Sequence, residues 1–184
     1  MKLANQLKLV TGGALLFLCL NAANSADMAK AIMKDKDGKD VGTVELTPTK
    51  KGVQLRLVLK DMPPGEKAFH VHEVGKCEPP DFKSAGGHFN PEKKKHGKGG
   101  KDQGHAGDMP NIKIPQNGQL KIEVVNTDIS LEKGAPNSVF REGGTSIVIH
   151  QGPDDYKTDP DGAAGARLAC GVIEEGSVPA APRK

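Results

Sequence analysis

The stretch Gly42–Leu57 reads GTVELTPTKKGVQLRL and contains two short segments in which apolar and polar residues alternate. Such alternation predicts half-buried β-strands over Gly42–Leu46 and Val53–Leu57. The pair Lys51-Gly52 stands between them and is typical of a tight turn. The stretch therefore predicts two strands joined by a short connection.

The same pattern continues along the chain. Leu120–Val124 alternates, Ile147–Ile149 is β-branched and apolar, and Asn117-Gly118 marks a further turn. The sequence has 23 Gly, 13 Pro and only 3% aromatic residues, a composition that favours turns over long helices. We therefore predict a single all-β domain, an antiparallel sandwich or barrel, without internal repeats.

Two stretches interrupt the strand pattern. Glu73–Asn111 is rich in Gly, Pro, Lys and His without sustained periodicity, and Gln151–Ala166 follows the last histidine. A loop as long as the first is uncommon in a compact domain unless it is functional or disordered. Its ligand-type side chains favour a function.

All six histidines of the chain fit a pattern of metal ligands. Imidazole is a usual protein ligand for copper and zinc. On a strand, His70 and His72 would share one face, with Phe69 and Val71 on the other. An isolated His-x-His also occurs as two surface histidines, so this motif is weak by itself.

The long loop adds four ligand-type side chains, spaced by eight, nine and three residues: His88, His96, His105 and Asp108. Three imidazoles and one carboxylate make a closed tetrahedral zinc shell, which is structural and would hold the loop in place. The glycines at 86, 87 and 107 permit the turns that such wrapping requires.

Residues 1–26 have the order of a secretory signal peptide. Lys2 and Lys8 precede the apolar run Ala14–Leu20, and small residues precede Asp27. The apolar run is too short to span a bilayer as a resident helix, and a buried core helix is the alternative. We expect cleavage just before Ala26 or Asp27 and a periplasmic domain over residues 27–184.

The cysteines bear on the compartment. Cys19 could be a lipid-attachment site, but Leu18 stands where such sites need a small residue, so we expect a soluble product. The exported chain keeps Cys77 and Cys170, for which a disulfide is a better expectation than two free thiols. Such a bond would contribute about 4 kcal/mol through the loop it closes.

The charge of the chain points to no polyanionic partner. Loss of Lys2 and Lys8 with the signal lowers the net charge from +3 to +1. The basic run Lys93–Lys101 is interpreted as a solvated loop, and no aromatic interleaving supports nucleic-acid binding. We expect neither nucleic acid nor a membrane span in the mature protein.

Taken together, these residues resemble the copper/zinc superoxide dismutases of the bacterial exported type. Four motifs occur in the family's order over roughly Gly42 to Ile173: HVH at 70–72, GGHFNP at 86–91, HAGDMPN at 105–111 and GARLACGVI at 165–173. The resemblance implies a Greek-key β-barrel or flattened sandwich. These enzymes are themselves a standard example of the sandwich architecture, so this fold expectation rests on the resemblance.

The resemblance implies two metal sites that share His88 as a bridging imidazolate: copper with His70, His72, His88 and His150, and zinc with His88, His96, His105 and Asp108. Outer partners of metal ligands orient them and tune the metal. Asp154 matches the family carboxylate that links one copper ligand to one zinc ligand, by position His70 and His96.

The resemblance also implies roles for one arginine and for a pair of cysteines. Arg167 matches the residue that lines the copper channel and guides the anion, and Cys77 and Cys170 match the intrasubunit disulfide. The candidates for an outer steering field are the loop lysines Lys83, Lys93, Lys94, Lys95, Lys98 and Lys101.

The implied activity is disproportionation of superoxide to oxygen and hydrogen peroxide at a redox-cycling copper, with His88 as proton carrier, protecting the cell envelope. A non-catalytic copper/zinc carrier is the alternative, although such relatives typically lose copper ligands or the channel arginine. A structural zinc protein would leave His150 without a role. The sequence leaves undecided whether the protein forms a homodimer, because only ten residues separate Cys77 from His88 and the chain has no Trp.

Overall fold

The computed structural model describes residues 28–98, 100 and 102–176; the signal peptide predicted over residues 1–26, Cys19 and Lys101 lie outside these ranges. Within these ranges the regular structure is β apart from one 3-10 turn at Lys83–Ala85, which confirms the predicted class. The strands are β1 (Met28–Asp35), β2 (Asp40–Thr49), β3 (Gly52–Leu59), β4 (Gly65–Lys67), β5 (Phe69–His72), β6 (Ile112–Ile114), β7 (Leu120–Asn126), β8 (Ser146–His150), β9 (Arg167–Val172) and β10 (Glu174–Gly176).

The strand pairs in the described part of the chain are all antiparallel, and most of these strands form one sheet in the order β5-β8-β9-β1-β2-β3-β7, with β10 also paired to β1. The short strands β4 and β6 pair separately. Strands β1, β2 and β3 follow one another directly, whereas β7 and β8 return beside β3 and β5 after long connections. This is Greek-key connectivity.

The predicted strand pair over 42–57 is confirmed. Val44 faces Leu57 and Leu46 faces Leu55 across β2 and β3. These four side chains are fully buried, because side chains on alternate positions of paired strands point to the same face. Turns occur at the predicted Lys51-Gly52 and Asn117-Gly118 positions.

Strand β8 is buried at every position, because both of its faces are covered. Ile147 and Ile149 belong to the main core, while Val148 packs on the opposite face in a second cluster with Phe82, Ala85 and Cys170. That second face is where the site is built. In β5, Phe69 and Val71 point into the main core, so His70 and His72 point to the other side, opposite Val148 and Ser146.

The disulfide fastens the long loop over this outer face. Cys77 and Cys170 are bonded, with their Cα atoms 5.6 Å apart and a separation of 93 positions in sequence, which confirms the predicted bond. The loop then returns to β5, where His88 forms an isolated bridge with His72. In the described part of the chain, no helix has the length and hydropathy needed to span a membrane.

Candidate metal centre

Four histidines form the first ligand group, on the outer face of β5 and β8. One ring nitrogen from each lies within 4.8 Å of the others, and all four side chains are buried: His70, His72, His88 and His150. His72 Nε2 and His150 Nε2 are 3.4 Å apart, and His72 Nδ1 donates to the carbonyl oxygen of Gly86 (3.0 Å). The Nε2 atom of His72 therefore carries a lone pair toward the group.

The second ligand group lies in the long loop and consists of His88, His96, His105 and Asp108. The His88 Nδ1 and His105 Nδ1 atoms are 3.4 Å apart, and Asp108 oxygens lie 3.3 Å from His105 Nδ1 and 3.1 Å from His96 Nδ1. Ligand atoms around a tetrahedral ion with bonds of 2.0–2.1 Å are about 3.3 Å apart. The spacing fits zinc.

His88 belongs to both groups and uses opposite ring atoms. Its Nδ1 lies 2.8 Å from Asp108 Oδ1 on the second group's side, which leaves Nε2 for the first group. This Nε2 atom is buried and has no hydrogen-bond partner in the described structure, and the same holds for His70 Nδ1 and His96 Nδ1. Unpaired buried polar atoms are costly. A cation bound by each group would satisfy all three.

The donor sets of the two groups suit different metals. The first group consists of imidazoles alone, which copper accepts readily, whereas the second adds a hard carboxylate and forms the closed three-histidine, one-aspartate shell typical of structural zinc. The residues present therefore fit one copper ion and one zinc ion.

Asp154 joins the two groups. Its buried carboxylate accepts hydrogen bonds from His70 Nε2 through Oδ2 and from His96 Nε2 through Oδ1, both at 2.9 Å. Because Asp154 holds a proton at Nε2 of both rings, Nδ1 of each ring faces one of the ligand groups and is the atom that would bind the metal. Gly162, with φ 66°, closes this pocket, since a side chain there would overlap Asp154 Oδ1 and lie 2.8 Å from His96 Nε2.

The ionisation of the first group suits metal binding. Burial, followed by the neighbouring charge of His70, lowers the pKa of His150 to about 3. Burial likewise lowers the pKa of His88 to about 4 despite its hydrogen bond to Asp108. Both imidazoles are therefore neutral at pH 7, which is the form that binds a metal.

The carboxylates of Asp108, in the second group, and Asp154, beside it, create a negative charge that favours binding of a cation. Although burial opposes a charge on His96, the adjoining Asp108 and Asp154 carboxylates outweigh it and raise its pKa to about 9. Hydrogen bonds from His70 and His96 outweigh burial at Asp154 and lower its pKa to about 2. In the metal-free protein a second proton on the His96 ring, at Nδ1, therefore offsets one of the two carboxylate charges, and zinc would displace this proton on binding.

The first group opens to solvent through a cleft of about 570 Å³, lined by His72, His150 and Arg167 among others. A register shift between β8 and β9 places Arg167 opposite His150. The guanidinium of Arg167 donates to the carbonyl oxygens of Phe82 (2.6 Å) and Gly86 (2.7 Å). It is therefore a fixed cation beside the first group.

The loop lysines differ in their surroundings. Lys93 and Lys94 line the cleft, and Lys94 is paired with Glu92 at 2.7 Å. Lys83 is exposed and pairs with Asp81 at 3.0 Å. Lys98 lies over the ring of Tyr156. Lys93 is consequently the lysine best placed to act on an anion that enters the cleft.

Two asparagines near the site were not predicted as functional from the sequence. Asn126, buried at the end of β7, donates to the carbonyl oxygen of Ala106 (2.8 Å) and so holds the loop beside Asp108. Asn111 makes reciprocal hydrogen bonds of 2.9 Å with the backbone N–H and carbonyl of Asp154. The available signals were the Asn-Thr-Asp turn sequence after β7 and the position of Asn111 at the end of the HAGDMPN motif.

Comparisons with known proteins agree with this geometry. The family model described as copper/zinc superoxide dismutase (SODC) matches residues 41–173. The chain is 54% identical over 141 residues to Superoxide dismutase (Cu-Zn) 1 of Aquifex aeolicus strain VF5, covering 76% of this chain and 83% of that protein. It is 51% identical over 166 residues to Superoxide dismutase (Cu-Zn) 2 of the same organism, covering 89% and 96%. The crystal structure of a SOD-like protein from Bacillus subtilis superposes with a TM-score of 0.76 at 36% identity, covering 79% of this chain and 97% of that one.

Proposed function

This chain belongs to the copper/zinc superoxide dismutase family and disproportionates superoxide to oxygen and hydrogen peroxide, and we propose that the two ligand groups sharing His88 perform this reaction. The observation that supports the site assignment is the placement of one imidazole between two four-ligand groups, with Nδ1 in one and the unpaired Nε2 in the other. Because His88 belongs to both groups, a cation bound in the second group affects the protonation of His88 in the first.

We assign copper to His70, His72, His88 and His150, and zinc to His88, His96, His105 and Asp108. When bound, copper supplies one-electron exchange with superoxide and zinc supplies a fixed positive charge. We assign proton transfer to His88, because its Nε2 atom faces the first group beside the cleft and would carry a proton for the reduced substrate whenever it does not bind copper. Asp154 keeps His70 and His96 in the tautomer that binds metal.

Arg167 binds and orients the incoming superoxide anion. Both of its hydrogen bonds go to neutral carbonyl oxygens, so its charge stays available to an anion in the cleft. Burial lowers its pKa, but an arginine side chain remains protonated at neutral pH. Two hydrogen bonds to backbone also fix the guanidinium before the substrate arrives, so binding requires little reorganisation.

Superoxide turnover by purified protein loaded with copper and zinc tests the function. We expect catalytic loss of superoxide in proportion to bound copper. Full copper occupancy without turnover would contradict the enzyme and would support the carrier alternative, which the donor set and Arg167 do not favour.

We predict that turnover per copper falls as ionic strength rises. A field that acts over a Debye length of about 8–10 Å is screened by ordinary salt, and superoxide dismutases are the type example of such steering. Arg167→Gln should lower the rate about 10-fold or more. Lys93→Gln should lower it less and flatten the salt dependence.

Lys51→Gln is the matched control for this salt experiment, because it removes the same charge from the exposed β2–β3 turn, which does not line the cleft. It should leave the rate and the salt dependence close to those of the wild type. Turnover that ignores salt, with Lys93→Gln equal to wild type, would mean that the loop charges only solvate the loop.

We also propose that the protein is exported to the periplasm by its N-terminal segment and protects the cell envelope there. The Cys77–Cys170 bond supports this, because structural disulfides persist in oxidising compartments. The mass of the exported protein is expected to correspond to a start near Asp27, with two hydrogens missing from the cysteine pair. A start at Cys19 with the mass of a lipid would instead identify an anchored protein.

A further inference from the structure

Tyr156 is the single tyrosine of a chain that has no tryptophan, and it lies half-buried two residues after Asp154. Its φ of 58° places it in the left-handed region, which a bulky residue seldom adopts. Such a conformation persists only where the surroundings hold it, so the contacts of Tyr156 are of interest.

Those contacts join Tyr156 to Asp154 in its own loop and to two other segments of the chain. Its backbone N–H donates to Asp154 Oδ1 (2.6 Å), and its phenolic oxygen accepts from the backbone N–H of Asn111 (2.7 Å). Its carbonyl oxygen accepts from the N–H of Lys98 (3.2 Å), and Lys98 Nζ lies 3.5 Å from the centre of its ring. One residue thus uses its backbone, its hydroxyl and its ring face together.

The contacted residues lie close to the zinc ligands along the chain. Lys98 is two residues after His96, and Asn111 is three residues after Asp108. Asn111 in turn binds both backbone polar groups of Asp154. Tyr156, Asn111 and Asp154 therefore form a closed ring of hydrogen bonds around the carboxylate that orients His70 and His96.

We propose that Tyr156 is a positioning residue for the zinc site: it fixes the Asp154 carboxylate between the two histidines and fastens the ligand-bearing loop to it at Lys98 and Asn111. It touches neither ligand group itself. Its effect passes through Asp154, whose hydrogen bond keeps the Nδ1 lone pair of His96 directed at the metal. The inference rests on the proposed assignment of zinc to His96 and Asp108.

The test compares zinc affinity in Tyr156→Phe, Tyr156→Ala and wild type, measured on copper-free protein by competition with a chromophoric zinc chelator. Tyr156→Phe keeps the ring under Lys98 and removes only the acceptor of the Asn111 N–H. Because Tyr156 acts through Asp154, we expect the zinc affinity of Tyr156→Phe to fall by up to about 10-fold, the lower end of the range for direct outer partners of metal ligands, and that of Tyr156→Ala to fall further. Because Tyr156→Phe is nearly isosteric, it keeps the test valid if Tyr156→Ala fails to fold.

Thr158→Val is the matched control, because it removes an exposed side-chain hydrogen bond to Asp155 in the same loop without touching Asp154. Its zinc affinity should equal that of the wild type. Melting temperatures with and without zinc separate positioning from a general structural role, since a ligand stabilises the folded state by an amount that rises with the logarithm of its affinity. Positioning predicts that Tyr156→Phe reduces the increase in melting temperature that zinc produces.

Equal lowering of both melting temperatures, with unchanged zinc affinity, would overturn the inference and leave Tyr156 a structural residue. The proposed function fails in a different way: wild type would then bind no zinc, or Asp108→Ala would bind it as tightly as wild type. The two failures are therefore distinguishable in one series of titrations.

Discussion

Replacing His150 with Ala is expected to abolish superoxide turnover while leaving zinc bound. His150 contributes to the first ligand group only, so the variant loses one copper ligand and retains the complete second group. Loss of an outer partner of a metal ligand already costs about 10–100-fold, so removal of a ligand should lower turnover by about 100-fold or more. Metal content by elemental analysis and turnover per chain measure the two effects.

The control for His150→Ala is Gln151→Ala, a truncation of the next, exposed side chain. It should keep both metals and wild-type turnover. Loss of zinc together with copper in His150→Ala would show that the two groups are not separable, and the ligand assignment would then be wrong.

Replacing Asp108 with Ala is expected to have the largest effect on stability. Asp108 is the single carboxylate of the second group and also accepts the backbone N–H of His105 (2.9 Å). A metal present at a thousand times its dissociation constant stabilises the folded state by about 4 kcal/mol. Loss of that contribution should lower the melting temperature in excess zinc by about 10 °C in a domain of this size.

Asp102→Ala is the matched control for the stability experiment, since it removes the same charge from an exposed position of the same loop. Its melting temperature should rise with zinc as that of the wild type does. An Asp108→Ala variant that melts like wild type in the presence of zinc would contradict a structural zinc site. Copper should also bind less tightly to Asp108→Ala, because His88 then loses the partner that holds its Nδ1.

The His150 and Asp108 substitutions are expected to have different effects because the two ligand groups lie on different parts of the fold. Of the first group, His70, His72 and His150 lie on adjacent strands whose positions the sheet fixes. The second group lies in a loop that contains no regular strand among its described residues, where a bound zinc ion would tie together four side chains that are far apart along the chain. A lost copper ligand should therefore affect chemistry, and a lost zinc ligand should affect folding.

Much of the fold and of the ligand set could be predicted from the sequence, because the signals are local. Alternation over 42–46 and 53–57 fixes which side chains of β2 and β3 are buried, since successive residues of a strand point to opposite faces. The same rule separates His70 and His72 from Phe69 and Val71. Histidine is scarce enough in this chain that its six positions predict a metal site from composition and order alone.

Tertiary structure alone decided how the site is supported. The carbonyls of Phe82 and Gly86 that hold Arg167, and the ring formed by Asn111, Asp154 and Tyr156, join residues tens of positions apart. These contacts depend on the paths of two loops that have no periodic pattern, so no local propensity encodes them. The path of the first loop is set by the disulfide, the covered outer face of β8 and the ligand groups, which exist only once the sheet has formed.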